Sequence, residues 1–230
     1  MDDGPATLEE SLAMARIAVK DGITVMIATP HCLDGVYANW RPEIISACSR
    51  FNHVLEDHQV ALTVLPGSEA RLGLAIVDEL ESGRFMTLND TGRYISLELP
   101  DHLVSEAVIS FIGGLKTRGI TPIVGHPERN TAFQHNVDLL RELVEAGALV
   151  QITGSSLAGD FGPEAFKCCQ KLTKQGMVHF MASDAHSATS RPPKLSKAYK
   201  KLSSFAGKAQ AEKMVFEHPQ AIIDGTELEL

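Results

Sequence analysis

An α/β fold built on a parallel sheet is what this sequence predicts, and two observations carry the prediction. Six apolar runs of strand length alternate with helix-patterned segments along the 230 residues, as strand–helix–strand units require. The residues that close those runs are repeatedly histidines or carboxylates, placed where such folds gather their ligands, at the carboxyl ends of strands. The length suits one domain, residues 1–230, better than two.

The elements follow in order. Thr7 and Glu10 form a capping box ahead of Leu8, Leu12, Ala15 and Val19, which recur at helical spacing until Gly22 stops the helix. Ile23–Ala28 reads as a strand that runs into Thr29-Pro30-His31. A loop with Trp40 leads to a helix from Pro42 to His58, proline suiting a first helical turn. Val60–Leu65 is the next strand, closed by Pro66-Gly67-Ser68-Glu69, and a helix follows over Ala75–Ser82. Tyr94–Leu99 is a strand with Glu98 near its end, and the helix Val104–Arg118 leads to strand Ile120–Val124 and Gly125-His126-Pro127-Glu128-Arg129. Helix Val137–Ala146, closed by Gly147, precedes strand Ala148–Thr153. Helix Pro163–Gln175, stopped by Gly176, precedes strand Val178–Ala182 and its terminal Ser183-Asp184-Ala185-His186. Pro192-Pro193 opens a basic, amphipathic, helical C-terminal segment.

Composition narrows the function. A net charge of −8 argues against nucleic acid or an anionic membrane as the main partner. It leaves an anionic substrate open, because bound cations reverse the sign locally. No apolar run reaches membrane-spanning length and no signal peptide is visible, so a soluble protein without membrane insertion is expected. The cysteines, Cys32, Cys48, Cys168 and Cys169, form no C-x-x-C and no Cys-x5-Arg phosphate loop, which points to a reducing cytoplasm and away from thiol chemistry.

The candidate site is the set of polar strand ends: His31, Glu69, Glu98, His126, Asp184 and His186. Singly, each has a plain structural explanation, as a loop filler beside proline, a helix cap or a partner for a surface arginine. Together, five strand ends deliver two His, two Glu and an Asp-x-His to one rim, and coincidence becomes the weaker account. A mixed imidazole and carboxylate set without thiolates suits Zn, Mn or Fe in a multinuclear hydrolytic centre. Such a centre activates water near neutral pH, so no protein nucleophile is needed. Arg129 and Arg191 follow two of these motifs, and their forked donors suit phosphate oxygens, with a solvated surface role as the alternative. His53, His58, His102, His135, His179 and His218 fall on helices, in loops or inside a strand and are given no chemistry.

The motifs resemble those of the polymerase and histidinol phosphatase (PHP) superfamily, and within it the bacterial protein-tyrosine phosphatases of capsular and exopolysaccharide systems. The matching pieces are Asp2-Asp3-Gly4-Pro5 with Glu9-Glu10-Ser11, Thr29-Pro30-His31, Gly67-Ser68-Glu69, Gly125-His126-Pro127-Glu128-Arg129, Ala182-Ser183-Asp184-Ala185-His186 and Arg191-Pro192-Pro193. The resemblance implies a distorted (β/α)7 TIM-like barrel with a cluster of up to three divalent ions at its carboxyl rim, manganese first, with iron or zinc as alternatives. It also implies the ligand sets. Asp3, His31 and His186 would hold one ion, Glu69, Glu98 and His126 a second, and Glu69 with Asp184 would contribute to a third. Arg129 and Arg191 would bind the phosphate. The implied substrate is the phosphorylated tyrosine cluster of a membrane-associated tyrosine kinase that controls polysaccharide polymerisation or export.

One departure stands out. Members of the family carry a first strand with His-x-His about ten residues before Asp-Asp-Gly-Pro, and this sequence starts at Met1-Asp2-Asp3. A start assigned downstream of the native one, or a trimmed chain, is the expectation, with fewer than three ions held. A barrel lacking one strand leaves two edges open, which invites pairing with a second copy. Two other readings stay open: a small-molecule phosphoesterase, for instance on histidinol phosphate, and a catalytically impaired metal-binding module that docks the kinase.

Overall fold

The computed structural model describes residues 1–33, 35–73, 75–100 and 105–228. Val104, the expected first residue of one helix, and His102 lie outside the described residues. The strands are all parallel and alternate with helices, in two sheets. β1 (Val25–Ala28) pairs with β3 (Thr63–Pro66). β2 (His31–Cys32), β4 (Glu69–Arg71), β5 (Tyr94–Glu98), β6 (Thr121–Gly125), β7 (Leu149–Thr153) and β8 (Phe180–Ala182) form a six-stranded sheet in the order β2-β4-β5-β6-β7-β8.

Two of the expected strands, Ile23–Ala28 and Val60–Leu65, are each followed by a further short strand where a loop was expected. The breaks fall at the same height: the ladder stops at Ala28↔Pro66 and resumes at His31↔Glu69. Pro30 has no amide proton to give a ladder, and its carbonyl instead accepts the Glu69 N–H at 3.1 Å. Opposite it, Gly67 lies so close to the first strand that a Cβ there would stand 2.6 Å from Ile27 Cγ2. This close crossing turns the chain, so His31 and Glu69 begin new short strands instead of ending in loops. Among the described residues the sheet does not close, and the expected barrel is seen as a parallel sheet with β2 and β8 at its edges.

Helices cover the sheets. α1 (Leu8–Asp21) starts at Thr7, whose side chain accepts the Glu10 N–H at 3.2 Å, and ends at Gly22 with φ 95°. α2 (Arg41–Asp57) packs with α1 over β1 and β3, burying Leu12, Ala15, Ile44, Leu55 and Val64. Along the larger sheet run α3 (Ala75–Glu81), α4 (Glu106–Thr117), α5 (Thr131–His135), α6 (Asp138–Glu145), α7 (Gly154–Ala158) and α8 (Gly162–Lys174). The C-terminal segment divides into α9 (Ser196–Ala206), α10 (Lys208–Glu212), a π-turn (Lys213–Glu217) and α11 (His218–Asp224).

Alternation along the strands positions the site. Ile95, Leu97, Val124, Val150, Ile152 and Met181 face the helices in the main core. Their neighbours Tyr94, Ile123, Leu149 and Phe180 face the other way and pack with Leu88 and Ile222. Continuing by twos along that second face, Tyr94 is followed by Ser96 and Glu98, and Ile123 by Gly125. The face is apolar where the strands begin and polar where they end.

Candidate metal centre

A cavity of about 340 Å3 opens at the carboxyl ends of the strands, and all nine residues singled out from the sequence line it: Asp3, His31, Glu69, Glu98, His126, Arg129, Asp184, His186 and Arg191. Another cavity, of about 400 Å3, is lined by residues including Arg41, Phe85, Asp90 and Arg118 and contains no histidine. Its arginines are engaged, Arg41 in a two-pronged pair with Asp90 at 2.8 Å and Arg118 with Glu81 at 3.8 Å. The imidazole and carboxylate donors gather in the first.

Asp3, His31 and His186 come closest to a complete ligand set, with one donor atom from each lying within 4.8 Å of the others. Asp3 Oδ1 stands 3.7 Å from His31 Nε2 and 3.5 Å from His186 Nε2. Glu69 lies between the other imidazoles, its Oε2 3.8 Å from His31 Nδ1 and its Oε1 3.6 Å from His126 Nε2. These separations exceed a hydrogen bond. They approach the ~3.4 Å edge between two donors that share one tetrahedral cation at ~2.1 Å. The donors thus stand at the spacing an ion between them would require, and the donor chemistry fits a borderline divalent metal.

The supports are specific. Asp2 Oδ2 accepts the His31 N–H at 3.0 Å, and the Asn39 side chain donates to the carbonyls of His31 at 2.9 Å and Met1 at 3.1 Å, so the segment carrying Asp3 is tied to β2. Ser96 Oγ donates to Glu69 Oε1 at 3.1 Å. A Cβ on Gly125 would lie 2.7 Å from that same oxygen, so only glycine leaves room for the carboxylate. His126 and Asp184 hold left-handed backbone conformations, φ 35° and 50°. Non-glycine residues rarely adopt these, and such strain collects at functional sites.

Burial would push the Glu69 carboxyl up, but His126, His31 and the Ser96 hydroxyl hold it below the ordinary range. For His126 burial favours the neutral ring, and the Glu69 carboxylate overrides it, raising the imidazole. Glu128, fully buried, is raised by desolvation, while Oε1 accepts the Thr153 N–H at 3.0 Å. Glu128 thereby pins the turn Pro127–Arg129 to the end of β7.

Asp184 is held differently from the other expected ligands. Its Oδ2 accepts from Arg191 and stands 2.9 Å from Arg129 Nη2, while Oδ1 lies 3.9 Å from His186 Nδ1. Two guanidinium groups thus converge on one carboxylate oxygen at the cavity wall. Both also stack on Phe161, with Cζ 5.1 Å and 5.6 Å from its ring. Glu98 lines the cavity from the end of β5, opposite Arg71 in register. No cysteine lines it: all four thiols are buried, and burial pushes Cys48 up to about 11 and Cys168 up to about 12.

Asp2, Asn39, Ser96 and Phe161 were not found from the sequence. Asp2 alone had a local signal, its place beside Asp3; the others reach the site only through contacts distant in the chain.

The family model for capsular polysaccharide synthesis, CpsB/CapC, matches residues 1–224. The chain is 41% identical over 192 residues to the tyrosine-protein phosphatase YwqE of Bacillus subtilis (strain 168), covering 83% of this chain and 75% of that protein. It is 28% identical over 228 residues to the tyrosine-protein phosphatase CpsB of Streptococcus agalactiae, covering 97% and 93%. In the solved structures, a chain from the crystal structures of YwqE from Bacillus subtilis and CpsB from Streptococcus pneumoniae, described as unique metal-dependent tyrosine phosphatases, superposes with a TM-score of 0.95. That likeness is at 35% identity and covers 100% of this chain and 92% of the other.

Proposed function

The chain belongs to the CpsB/CapC family of capsular polysaccharide synthesis, and from that premise we propose that it is a metal-dependent tyrosine-protein phosphatase that removes phosphate from a tyrosine kinase of polysaccharide production. One observation carries the reading: a cluster of imidazole and carboxylate donors, held at ion-sharing distances, opens into the same cavity as two converging guanidinium groups.

Asp3, His31 and His186 would hold one cation, Glu69, Glu98 and His126 a second, and Glu69 with Asp184 would contribute to a third. Manganese is the first candidate, with iron and zinc as alternatives. Divalent cations in such a set supply electrophilic charge and activate water for phosphoester hydrolysis. The chain's own residues do the rest. Arg129 and Arg191, stacked on Phe161, present forked donors to the oxygens of a phosphoryl group, and Asp184 holds them until that group arrives. The buried, hydrogen-bonded Glu69 stays ionised between His31 and His126, which fixes both rings. We read the two sheets as one distorted barrel wall, interrupted at Pro30 and Gly67.

The test is phosphate release from a phosphotyrosine peptide and from histidinol phosphate. The reading expects peptide turnover that chelator abolishes and Mn(II) restores. Turnover that survives excess chelator would contradict it, and preference for histidinol phosphate would favour a small-molecule phosphoesterase. No helix among the described residues is long and apolar enough to cross a membrane.

A further inference from the structure

Charge is distributed very unevenly along this chain. Residues 167–213 hold ten Lys and Arg against two Asp and Glu, net +8. The remaining sequence holds eleven against 27, net −16. The basic stretch runs from Lys167, within α8, through α9, and the two helices pack together through Phe166 and Phe205, ring centroids 6.2 Å apart.

Spacing places the lysines on shared faces. Lys167, Lys171 and Lys174 recur at intervals of four and three on α8, and Lys197, Lys200 and Lys201 at three and four on α9, so each set lines one side of its helix. The two sets interlock at the seam. Lys174 Nζ lies 5.9 Å over the Phe205 ring, and Lys201 Nζ lies 4.8 Å over Phe166. Lys171, Lys174, Lys197 and Lys200 are exposed, and none of them is ion-paired among the described residues. An unneutralised positive face in a protein of net −8 selects for a polyanion by charge complementarity.

Both helices of the face start close in the chain to the candidate site. α8 begins just after Phe161, against which both phosphate-binding guanidinium groups stack, and α9 begins five residues after Arg191. α8 has 13 residues and spans ~20 Å, the reach of about six extended residues.

Resting on the phosphatase reading, we propose that the α8–α9 face is a docking surface for an acidic peptide carrying several phosphotyrosines. One phosphotyrosine enters the cavity while its neighbours lie along the lysines. Each phosphate brings a charge of about −1.5 to −2, so a clustered substrate gains several attractions that a single phosphotyrosine lacks. Multiply phosphorylated segments are therefore preferred over singly phosphorylated ones.

The test uses the full chain loaded with Mn(II) and the charge reversal K171E/K174E/K197E, with K171R/K174R/K197R as the conservative control. Fluorescence anisotropy follows a dye-labelled acidic peptide carrying three non-hydrolysable phosphotyrosine mimics and the same peptide carrying one. The expected result is about tenfold weaker binding of the triple peptide to the charge reversal, binding of the single peptide within about twofold of wild type, and wild-type binding by the arginine control. Turnover of p-nitrophenyl phosphate at the wild-type rate establishes that the reversal is folded. Equal losses for both peptides, or no loss, would overturn the proposal. So would loss of binding to phosphatidylglycerol vesicles with peptide binding intact, which would assign the face to a membrane surface. Failure of the phosphatase reading shows separately: wild-type protein would release no phosphate from p-nitrophenyl phosphate, whatever the peptides do.

Discussion

His126 and His179 are almost equally buried, 8% and 6% exposed, yet their surroundings drive the two rings in opposite directions. His126 follows β6 at the carboxyl end of the sheet, where the Glu69 carboxylate outweighs burial and raises the imidazole. His179 precedes β8 at the amino end. Burial, with His218 nearby, pushes it down to about 4, and no carboxylate answers it. Its Nδ1 accepts the Val150 N–H at 3.0 Å, and its carbonyl accepts from His218 Nδ1 at 2.7 Å. Each ring is therefore locked in one tautomer by a backbone group. Burial alone does not make a histidine a ligand. At one end of the strands the ring faces a carboxylate, and at the other it is held by a backbone amide with no carboxylate to answer it.

The comparison can be broken in several ways. The largest effect is expected at His126→Ala, which removes a ring facing Glu69: phosphate release should fall at least about a thousandfold with the thermal midpoint little changed. Near-normal rates in a steady-state assay would mean that this ring is as architectural as His179. Gly125→Ala sharpens the same point without replacing any of the donor residues. The added methyl meets Glu69 Oε1 at 2.7 Å, so Mn(II) affinity measured by titration should drop about 10- to 100-fold, as for disturbed ligand supports. Unchanged affinity would take Glu69 out of the centre.

At the other end, the effect belongs on stability. The His179 ring titrates near 6.5 when unfolded and at about 4 in the fold. Its contribution is therefore complete above pH 6.5 and is lost as pH falls toward 4, by about 3 kcal/mol in all. His179→Asn keeps an acceptor for Val150 and removes the titration. Chemical denaturation at pH 7 and pH 4.5 should show a smaller acid loss for this variant than for wild type; an identical loss would assign the acid sensitivity elsewhere.

Much of this was legible in the sequence because the signals are local. The run Tyr94–Glu98 and the helix stops at Gly22, Gly147 and Gly176 are written in neighbouring residues, and Gly22 and Gly147 do take positive φ of 95° and 105°. Strands of two and three residues carry no periodicity, so β2 and β4 were hidden behind Pro30 and Gly67. The five-residue helices Thr131–His135 and Gly154–Ala158 are likewise too short to show a helical repeat. The site residues were visible as types at strand ends, but their partners were not. Phe161 stacks on Arg129 and Arg191 from a loop 32 and 30 residues away in the chain, and nothing in its own neighbourhood announces it.

The central claim is that the cavity's donors hold divalent cations, and its most direct test is elemental analysis of the purified protein beside His31→Ala and His186→Ala. The account predicts at least one tightly held transition-metal ion per wild-type chain and a clear loss of metal in both variants, with their helix content unchanged by circular dichroism. Wild-type protein that stays metal-free in the presence of Mn(II), Fe(II) and Zn(II), or variants that retain the full complement, would contradict it.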